Sequence, residues 1–375
     1  MKLLNNYRFR LKLVGLIAVV VILHSGSAKA DFTFGEPMNL EAPVNSPDWN
    51  LTPYISRDEL TLFFASSRPG SLGASDIWVT TRPTKEDPWT EPKNLGSPVN
   101  TSGYEWSPHI SADGSELYFH SDRPGGYGWM DLWVTSRITS ERIPEGYWGT
   151  PLNLGSTVNS AYLDAQPYIT HDGLEFFFTS DRPGGLGDGD LWVMKRLTIE
   201  DPWGEPVNLG PTINSSSRDR IGCLSSDGLI LFFDSERSGG YGQADIWMSK
   251  RPTVLDDWEP PVNLGPTVNT AYGEGQQSIS TDGLTLYFSG KRPGGLGSLG
   301  IPNLWQAPII PIVDFNSDGI VDAEDMCAIV DHWGEDYPLC DIGPMPWGDG
   351  IVDVQDLIVL AEHLFEEYPP AEPVE

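Results

Sequence analysis

Cysteine and basic residues are both scarce in this chain, and long apolar runs are absent beyond its first thirty residues. Its 375 residues hold 3 Cys and 23 Lys+Arg against 53 Asp+Glu, for a formal net charge of -30. Residues 1 to 30 contain five bases (Lys2, Arg8, Arg10, Lys12, Lys29) and no acid, so the remainder carries 18 bases against 53 acids, or -35. Polyanions are therefore poor candidate partners, a nucleic acid above all, because a phosphate backbone needs a basic footprint and this balance supplies none. Catalytic signatures are missing too: there is no Gly-x-Ser-x-Gly elbow, no His-Glu-x-x-His and no phosphate-binding Gly loop ahead of a helix. Disorder is excluded by 41 aromatic residues, 14 of them Trp, which supply apolar surface that a disordered acidic chain lacks.

The first thirty residues read as a signal peptide, with a basic stretch to Lys12, an apolar run from Leu13 to Leu23, and small residues ending at Ala28-Lys29-Ala30. Eleven apolar residues fall short of the roughly 20 that cross a bilayer. The expectation is an exported protein, secreted or in the periplasm or cell envelope, with no transmembrane segment in the mature chain. An oxidising compartment lets one pair of cysteines persist as a disulfide. Cys327 and Cys340, close in sequence, are the expected pair, and Cys223 reads as a small buried apolar residue.

What the sequence has in abundance is repetition. Ser-x-Asp-Gly-x-x-Leu-x-Phe-x-Ser-x-Arg-Pro-Gly-Gly-x-Gly followed by Asp-Leu-Trp recurs five times, with its Arg at 68, 123, 182, 237 and 292 and its Trp at 78, 133, 192, 247 and 305. A second element, Trp-x-x-Pro-x-Asn-Leu-Gly, begins at Trp89, Trp148, Trp203 and Trp258, and a variant opens the mature chain at Phe34 to Leu40. Each unit offers four short apolar segments separated by turn residues, too short for helices. In the second unit they are 108–111, 116–121, 131–137 and 151–155. Asp113-Gly114, Asp172-Gly173, Asp227-Gly228 and Asp282-Gly283 mark hairpins, because Gly accepts positive φ; Asp58-Glu59 replaces that pair in the first unit.

Four antiparallel strands repeated radially make an all-β five-bladed β-propeller over residues 31–311. Because the chain begins with a fourth-strand segment and ends its repeats with a third, pairing of Phe34 to Leu40 beside Asn303 to Ala307 would close the ring and leave no open sheet edge. The repeat unit resembles the WD40-like repeat of the PD40 type, found in the propeller of TolB and related exported bacterial proteins. That resemblance implies a propeller, and its relatives serve as binding platforms, as parts of peptidases and as enzymes.

Asn50, Glu105, Asp164, Asp219 and Glu274 recur at one position ahead of the first strand's end. If that strand is innermost, they face the central channel and form a ligand- or cation-binding ring; alternatively each pairs with the repeated Arg of its own or a neighbouring blade. Nine of the Trp are repeat positions that read as packing between blades. Trp49, Trp106, Trp129, Tyr104, Tyr127 and Tyr241 lie outside the repeat and are candidates for a binding face. His109, His120 and His171 have no counterparts in the other units, and His109 and His171 read as surface residues.

Residues 312–368 form a second, small domain, followed by an acidic tail at 369–375 expected to be disordered. No Lys or Arg follows Arg292, and residues 313–375 hold 17 acids. Asp314, Asn316, Asp318, Ile320 (through its carbonyl), Asp322 and Asp325 fall at positions 1, 3, 5, 7, 9 and 12 of a calcium loop, with Gly319 at the turn position 6. Asp325 in place of the usual Glu, Val321 at position 8 and the lack of a preceding helix resemble a type I dockerin repeat. A second copy retains Asp349, Ile351, Asp353 and Asp356, but Met345 and Trp347 occupy positions 1 and 3; Asp341 can supply position 1 if residues 343–347 loop out. The expected helices are Met326 to Trp333 and Leu357 to Phe365, and the expected cofactor is Ca²⁺. Dockerins bind cohesin modules on a scaffold or cell surface through residues near loop positions 10 and 11, here Ala323-Glu324 and Val354-Gln355. The overall expectation is an exported, non-catalytic binding protein whose propeller takes a protein or glycan and whose dockerin-like module attaches it, calcium-dependently, to an extracellular or envelope assembly. The alternative is a polysaccharide-active enzyme, a glycoside hydrolase or lyase, since two carboxylates suffice for glycoside hydrolysis.

Overall fold

The computed structural model describes residues 32–140, 143–311, 313, 315, 320–335, 340–343 and 351–365. The signal-peptide and acidic-tail assignments, with Asp314, Asn316, Asp318 and Asp349, lie outside the described residues. Two compact units emerge, Phe32–Ile310 and one that includes Pro311–Glu375.

The first unit is an all-β five-bladed propeller of antiparallel, four-stranded blades. Blade 3 shows the pattern, pairing Asp164–Ile169, Glu175–Ser180, Asp190–Lys195 and Val207–Asn208 in sequence order. The second strand is apolar along its length because both of its faces are covered, and in blade 3 every residue of it is buried. Blade faces pack on one another, so that Phe63 and Ile77 of blade 1 share a cluster with Leu117, Phe119 and Trp133 of blade 2. First strands begin earlier than the apolar pattern suggests: in blade 2 the strand is Glu105–Ile110, not 108–111. Blade 2 also carries an extra strand, Ile143–Trp148, hairpinned onto a lengthened third strand, Asp131–Ser140.

The ring closes through its termini. Met38 and Asn39 pair with Gln306 and Trp305 as the fourth strand of blade 5, and Phe32–Phe34 adds to the same third strand, Asn303–Pro311. A recurring Asn fastens each blade to the connection that follows it. Asn100 accepts from Ile77 N and donates to Ile77 O, both at 2.9 Å, and Asn159, Asn214 and Asn269 repeat this on Leu132, Leu191 and Ile246. At the closure Asn45 does the same to Leu304, 259 residues away. The last Gly of each Arg-Pro-Gly-Gly-x-Gly loop has a steric reason: a Cβ at Gly128 would overlap the Tyr162 carbonyl of the next blade, and at Gly297 the Pro47 carbonyl across the closure.

In the second unit, α1 (Ala323–Asp331) and α2 (Val354–Glu362) each start from a capping box. Asp322 and Asp353 accept from the backbone of Glu324 and Gln355, and Asp325 and Asp356 bond back to the N–H of Asp322 and Asp353 at 2.9 and 2.6 Å. Val313, Val321, Ile329, Ile342, Val352, Val359 and Leu360 form its core with Cys340. The expected Cys327–Cys340 bridge is corrected here. Both thiols are free, because Cys327 lies on the exposed side of α1 while Cys340 turns into the core, where burial pushes its thiol up to about 11. Cys223 is buried, as a small apolar residue would be.

Candidate binding face at the channel mouth

The recurring acids are framework. Glu105, Asp164, Asp219 and Glu274 pair with the Arg of their own blade, Arg123, Arg182, Arg237 and Arg292, at 3.2, 2.5, 2.8 and 3.5 Å, and every one of these carboxylates is buried. Asn50 takes the same place in blade 1, accepting from Arg68 at 2.8 Å. With no carboxylate opposite, burial pulls Arg68 down to about 10. Each guanidinium lies between the Phe of the second strand and the Trp of the third, Arg123 at 4.8 and 5.2 Å from the Phe119 and Trp133 rings. It also donates to a carbonyl of the preceding connection, Val99 for Arg123 and Val44 for Arg68, so one side chain holds two blades. The expectation of a channel-facing ligand ring is therefore corrected: these groups meet each other, and none lines the channel core.

The channel itself is constricted at its middle, and at its far end residues of all five blades, Arg57 and His171 among them, line a depression of about 70 Å³. First strands carry a β-bulge in every blade, and the bulge residues Thr52, Ser107, Gln166 and Gln276 have positive φ, between 49° and 56°. Their backbone N–H groups, turned out of the ladder, find side chains of the adjacent blade. Thr52 donates to Ser289, Gln166 to His120 Nδ1, Ile221 to Thr179 and Gln276 to Asp234, while Ser107 donates to Thr52 Oγ1 because Ala65 offers no acceptor. The bulges, Pro53, Pro108 and Pro167, and the Gln277 side chain over Gly222 leave about 30 Å³, room only for water. At the far end His109 stacks between Tyr54 and Tyr168, with ring centroids 4.5 and 4.6 Å away. His109 is thus a core residue, which corrects its surface reading; His171 is exposed. Burial holds the imidazoles of His109 and His120 down to about 3.

A constricted channel leaves the two faces. First strands start, and second strands end, on the same side of the ring, so the Gly-rich loops and the connections between blades share one face. Six aromatic side chains of the propeller are exposed: Trp49, Tyr127, Trp129, Tyr147, Tyr162 and Tyr241. All except Tyr147 lie on those loops and connections, and Trp129 is 68% exposed. Tyr104 and Trp106 form an edge-to-face pair at the same end of blade 2. The opposite face offers exposed aliphatic residues instead, Leu197 and Leu255.

At the mouth, between blades 4, 5 and 1, the aromatic face opens into a groove of about 380 Å³. Trp49, Arg218, Arg220, Glu236, Lys291 and the sequence-predicted Glu274 line it, Glu274 being buried and paired with Arg292 at 3.5 Å, and Gly273, Gly275, Gly290 and Gly300 keep parts of its wall free of side chains. Arg220 Nε lies 2.5 Å from the buried Asp234, whose carboxyl is raised by burial and partly restored by that arginine. Arg218 and Arg220 each stand 4.0 Å from Glu236. Trp49 was legible as a non-repeat aromatic; the three bases were not, since Arg218 and Arg220 lie in one blade and Lys291 in the next, with no shared motif.

In the C-terminal unit the two repeats are offset by 31 residues, with Val321, Asp322 and Asp325 matching Val352, Asp353 and Asp356. Asp325 and Asp356 are fully buried. Phe315 N donates to Asp325 Oδ1 at 2.7 Å, and Ile342 N donates to Asp356 Oδ1 at 2.6 Å. The two segments thus make the same contact to their helix although Phe315 and Ile342 lie 27 residues apart, four fewer than the offset of the helices. Ile320 and Ile351 share the 31-residue offset.

No protein-family model matches the chain, and neither does any curated protein. Among solved structures it is similar to TolB from Acinetobacter baumannii, at 14% identity and a TM-score of 0.43 over 79% of this chain and 68% of that one. It is similar to an α-L-arabinofuranosidase from Podospora anserina in complex with cellotriose, at 13% and 0.48 over 75% and 97%. The GH43 endo-arabinanase from Bacillus licheniformis gives 15% and 0.45 over 71% and 95%. At such identities the propeller assignment rests on this chain's own strand pairing: five antiparallel blades, closed by the N-terminal strand.

Proposed function

We propose that this is an exported, non-catalytic binding protein, whose propeller takes a glycan or protein on its aromatic face and whose C-terminal unit is a calcium-stabilised, dockerin-like module attaching it to an extracellular or envelope assembly. The observation that carries the reading is the one-sided distribution of exposed aromatics around a constricted channel. Aromatic rings give large contact area at little entropic cost, which suits recognition. The recurrent carboxylates, the obvious candidates for glycoside chemistry, are committed to buried arginines.

The donor set of the C-terminal unit fits a hard cation. Oxygen ligands at loop positions 1, 3, 5, 9 and 12 suit Ca²⁺, and the burial of Asp325 and Asp356 supports reading them as position-12 ligands. Asp314, Asn316, Asp318, the Ile320 carbonyl, Asp322 and Asp325 would hold one ion; Asp341, Asp349, the Ile351 carbonyl, Asp353 and Asp356 would hold a second. A bound cation offsets repulsion among the 17 acids of residues 313–375 and so links attachment to calcium. Ala323-Glu324 and Val354-Gln355 depart from the cohesin-recognition pattern, so the partner is a surface protein other than a cohesin; α1 and α2 carry exposed Val330, Val354 and Ile358, and Trp333 is exposed just after α1.

A pull-down from the native envelope, run with calcium and with a chelator, tests attachment: the partner is retained only with calcium. An activity screen on plant and algal polysaccharides tests the non-catalytic half. Turnover abolished by one replacement among Glu105, Asp164, Asp219 and Glu274, with folding intact, would establish the enzyme reading instead.

A further inference from the structure

We propose that the groove at the channel mouth binds a carboxylated sugar, a uronic acid residue of an acidic polysaccharide. This rests on the aromatic face being the binding surface and names the ligand class for one part of it.

The argument is one of charge allocation. Of the 18 bases after residue 30, nine belong to the framework. Five are the repeat arginines, and four (Arg82, Arg137, Arg196, Arg251) stack on the Trp of the second element at 4.2 to 4.9 Å. Nine remain, and three of them, Arg218, Arg220 and Lys291, line this one groove. The outer cleft between blades 3 and 4 makes the contrast: its Lys195 and Arg251 are both held by Glu175, at 2.6 and 2.8 Å. In the groove Asp234 satisfies Arg220, Arg218 is held only at 4.0 Å from Glu236 with both side chains about half exposed, and no ion pair to Lys291 is formed among the described residues.

The rest of the groove suits a sugar ring. Trp49, 47% exposed, offers an indole face beside the bases, and the glycines of the wall allow a ring to approach the backbone. A volume of about 380 Å³ falls at the small end of ligand pockets, which run from about 300 to 1,000 Å³. A carboxylate on such a ring reaches Arg218 and Lys291 and competes with Glu236 for the former. An acidic peptide would satisfy the bases equally but has no ring for Trp49.

Calorimetry on the full chain decides it, using trigalacturonate, its methyl ester and hexa-aspartate as probes. Trigalacturonate is expected to bind, with the methyl ester and hexa-aspartate at least about tenfold weaker, and affinity should fall severalfold between about 20 and 500 mM NaCl. Lys291→Gln and Trp49→Ala should each weaken binding about three- to tenfold, and Glu236→Gln should tighten it by freeing Arg218. All three residues are exposed, so folding is preserved, and circular dichroism verifies that. Equal affinity for the methyl ester, equal or better affinity for hexa-aspartate, or no binding of trigalacturonate would each overturn the proposal. Retention of some other glycan or protein by the aromatic face would still leave the wider reading standing.

Discussion

Replacing Asp164 in two ways separates a structural ring of acids from a ligand-binding one. Asp164 Oδ1 receives Arg182 at 2.5 Å, and Oδ2 receives the Ser160 N–H and hydroxyl at 2.5 and 2.8 Å, with the carboxylate itself fully buried. Asp164→Ala strands a buried guanidinium and two donors, and breaking a buried pair from one side costs about 3–5 kcal/mol. Asp164→Asn is cheaper, and blade 1 shows why: Asn50 still accepts from Arg68, while its amide donates to the Ser46 and Asp48 carbonyls at 2.9 and 2.7 Å. In blade 3 that amide would face the Ser160 N–H, so the connection must shift, at a cost of about 1–2 kcal/mol. Thermal unfolding in calcium buffer reads both, at about 2–4 °C per kcal/mol for a large domain. The Ala variant should therefore melt several degrees below the Asn variant, and both should keep the affinity of the parent for any ligand of the mouth face. Loss of binding in both variants at unchanged stability would refute the architectural assignment.

The buried imidazoles predict a pH dependence. His109 and His120 sit at about 3 in the folded chain against an ordinary 6.5, so the unfolded state binds more protons between those values. Stability from them is full above pH 6.5 and is lost as pH falls toward 3, by at most about 1.4 kcal/mol per pH unit for each. Urea midpoints at pH 7 and 4.5 should consequently converge in His109→Phe, after correction for the acids common to both proteins. Asn45→Ala removes the two bonds to Leu304 that fasten the closure and should cost about 1–3 kcal/mol, read as an earlier urea midpoint without change of slope. Chelation should lower the unfolding temperature of the C-terminal unit and leave the propeller transition in place, and Asp325→Ala should mimic the chelator there.

The strand plan and the ring closure were legible because the motif repeats: its Asp-Gly turns, its Arg and its Trp each have one structural task in every blade. Where the pattern weakens, so does its reading. The first strands were placed three residues late in blade 2 because Glu105-Trp106-Ser107 shows no apolar alternation; one side chain serves the Arg, and the next reach a bulge. The series Asn45, Asn100, Asn159, Asn214 and Asn269 is periodic but passed unread, since its partners are backbone atoms. The longer spacing between Arg123 and Arg182 held a signal for the extra hairpin at Ile143–Trp148. Cys327 and Cys340 are near in sequence, yet sequence distance says nothing of whether a thiol faces solvent, as on α1, or the core, as at the Cys340 turn. The groove joins residues of blades 4, 5 and 1, a juxtaposition that only the closed ring produces.

The claim that one face of the ring is the binding surface is tested most directly by retention of solubilised envelope glycans and proteins in the presence of a chelator, which releases the attachment assigned to the C-terminal unit. Tyr127→Ser combined with Trp129→Ser alters the aromatic face, and Leu197→Ser combined with Leu255→Ser alters the opposite one, all four side chains being exposed. Loss of retention in the first pair alone is the predicted result; loss in the second pair alone would contradict the account.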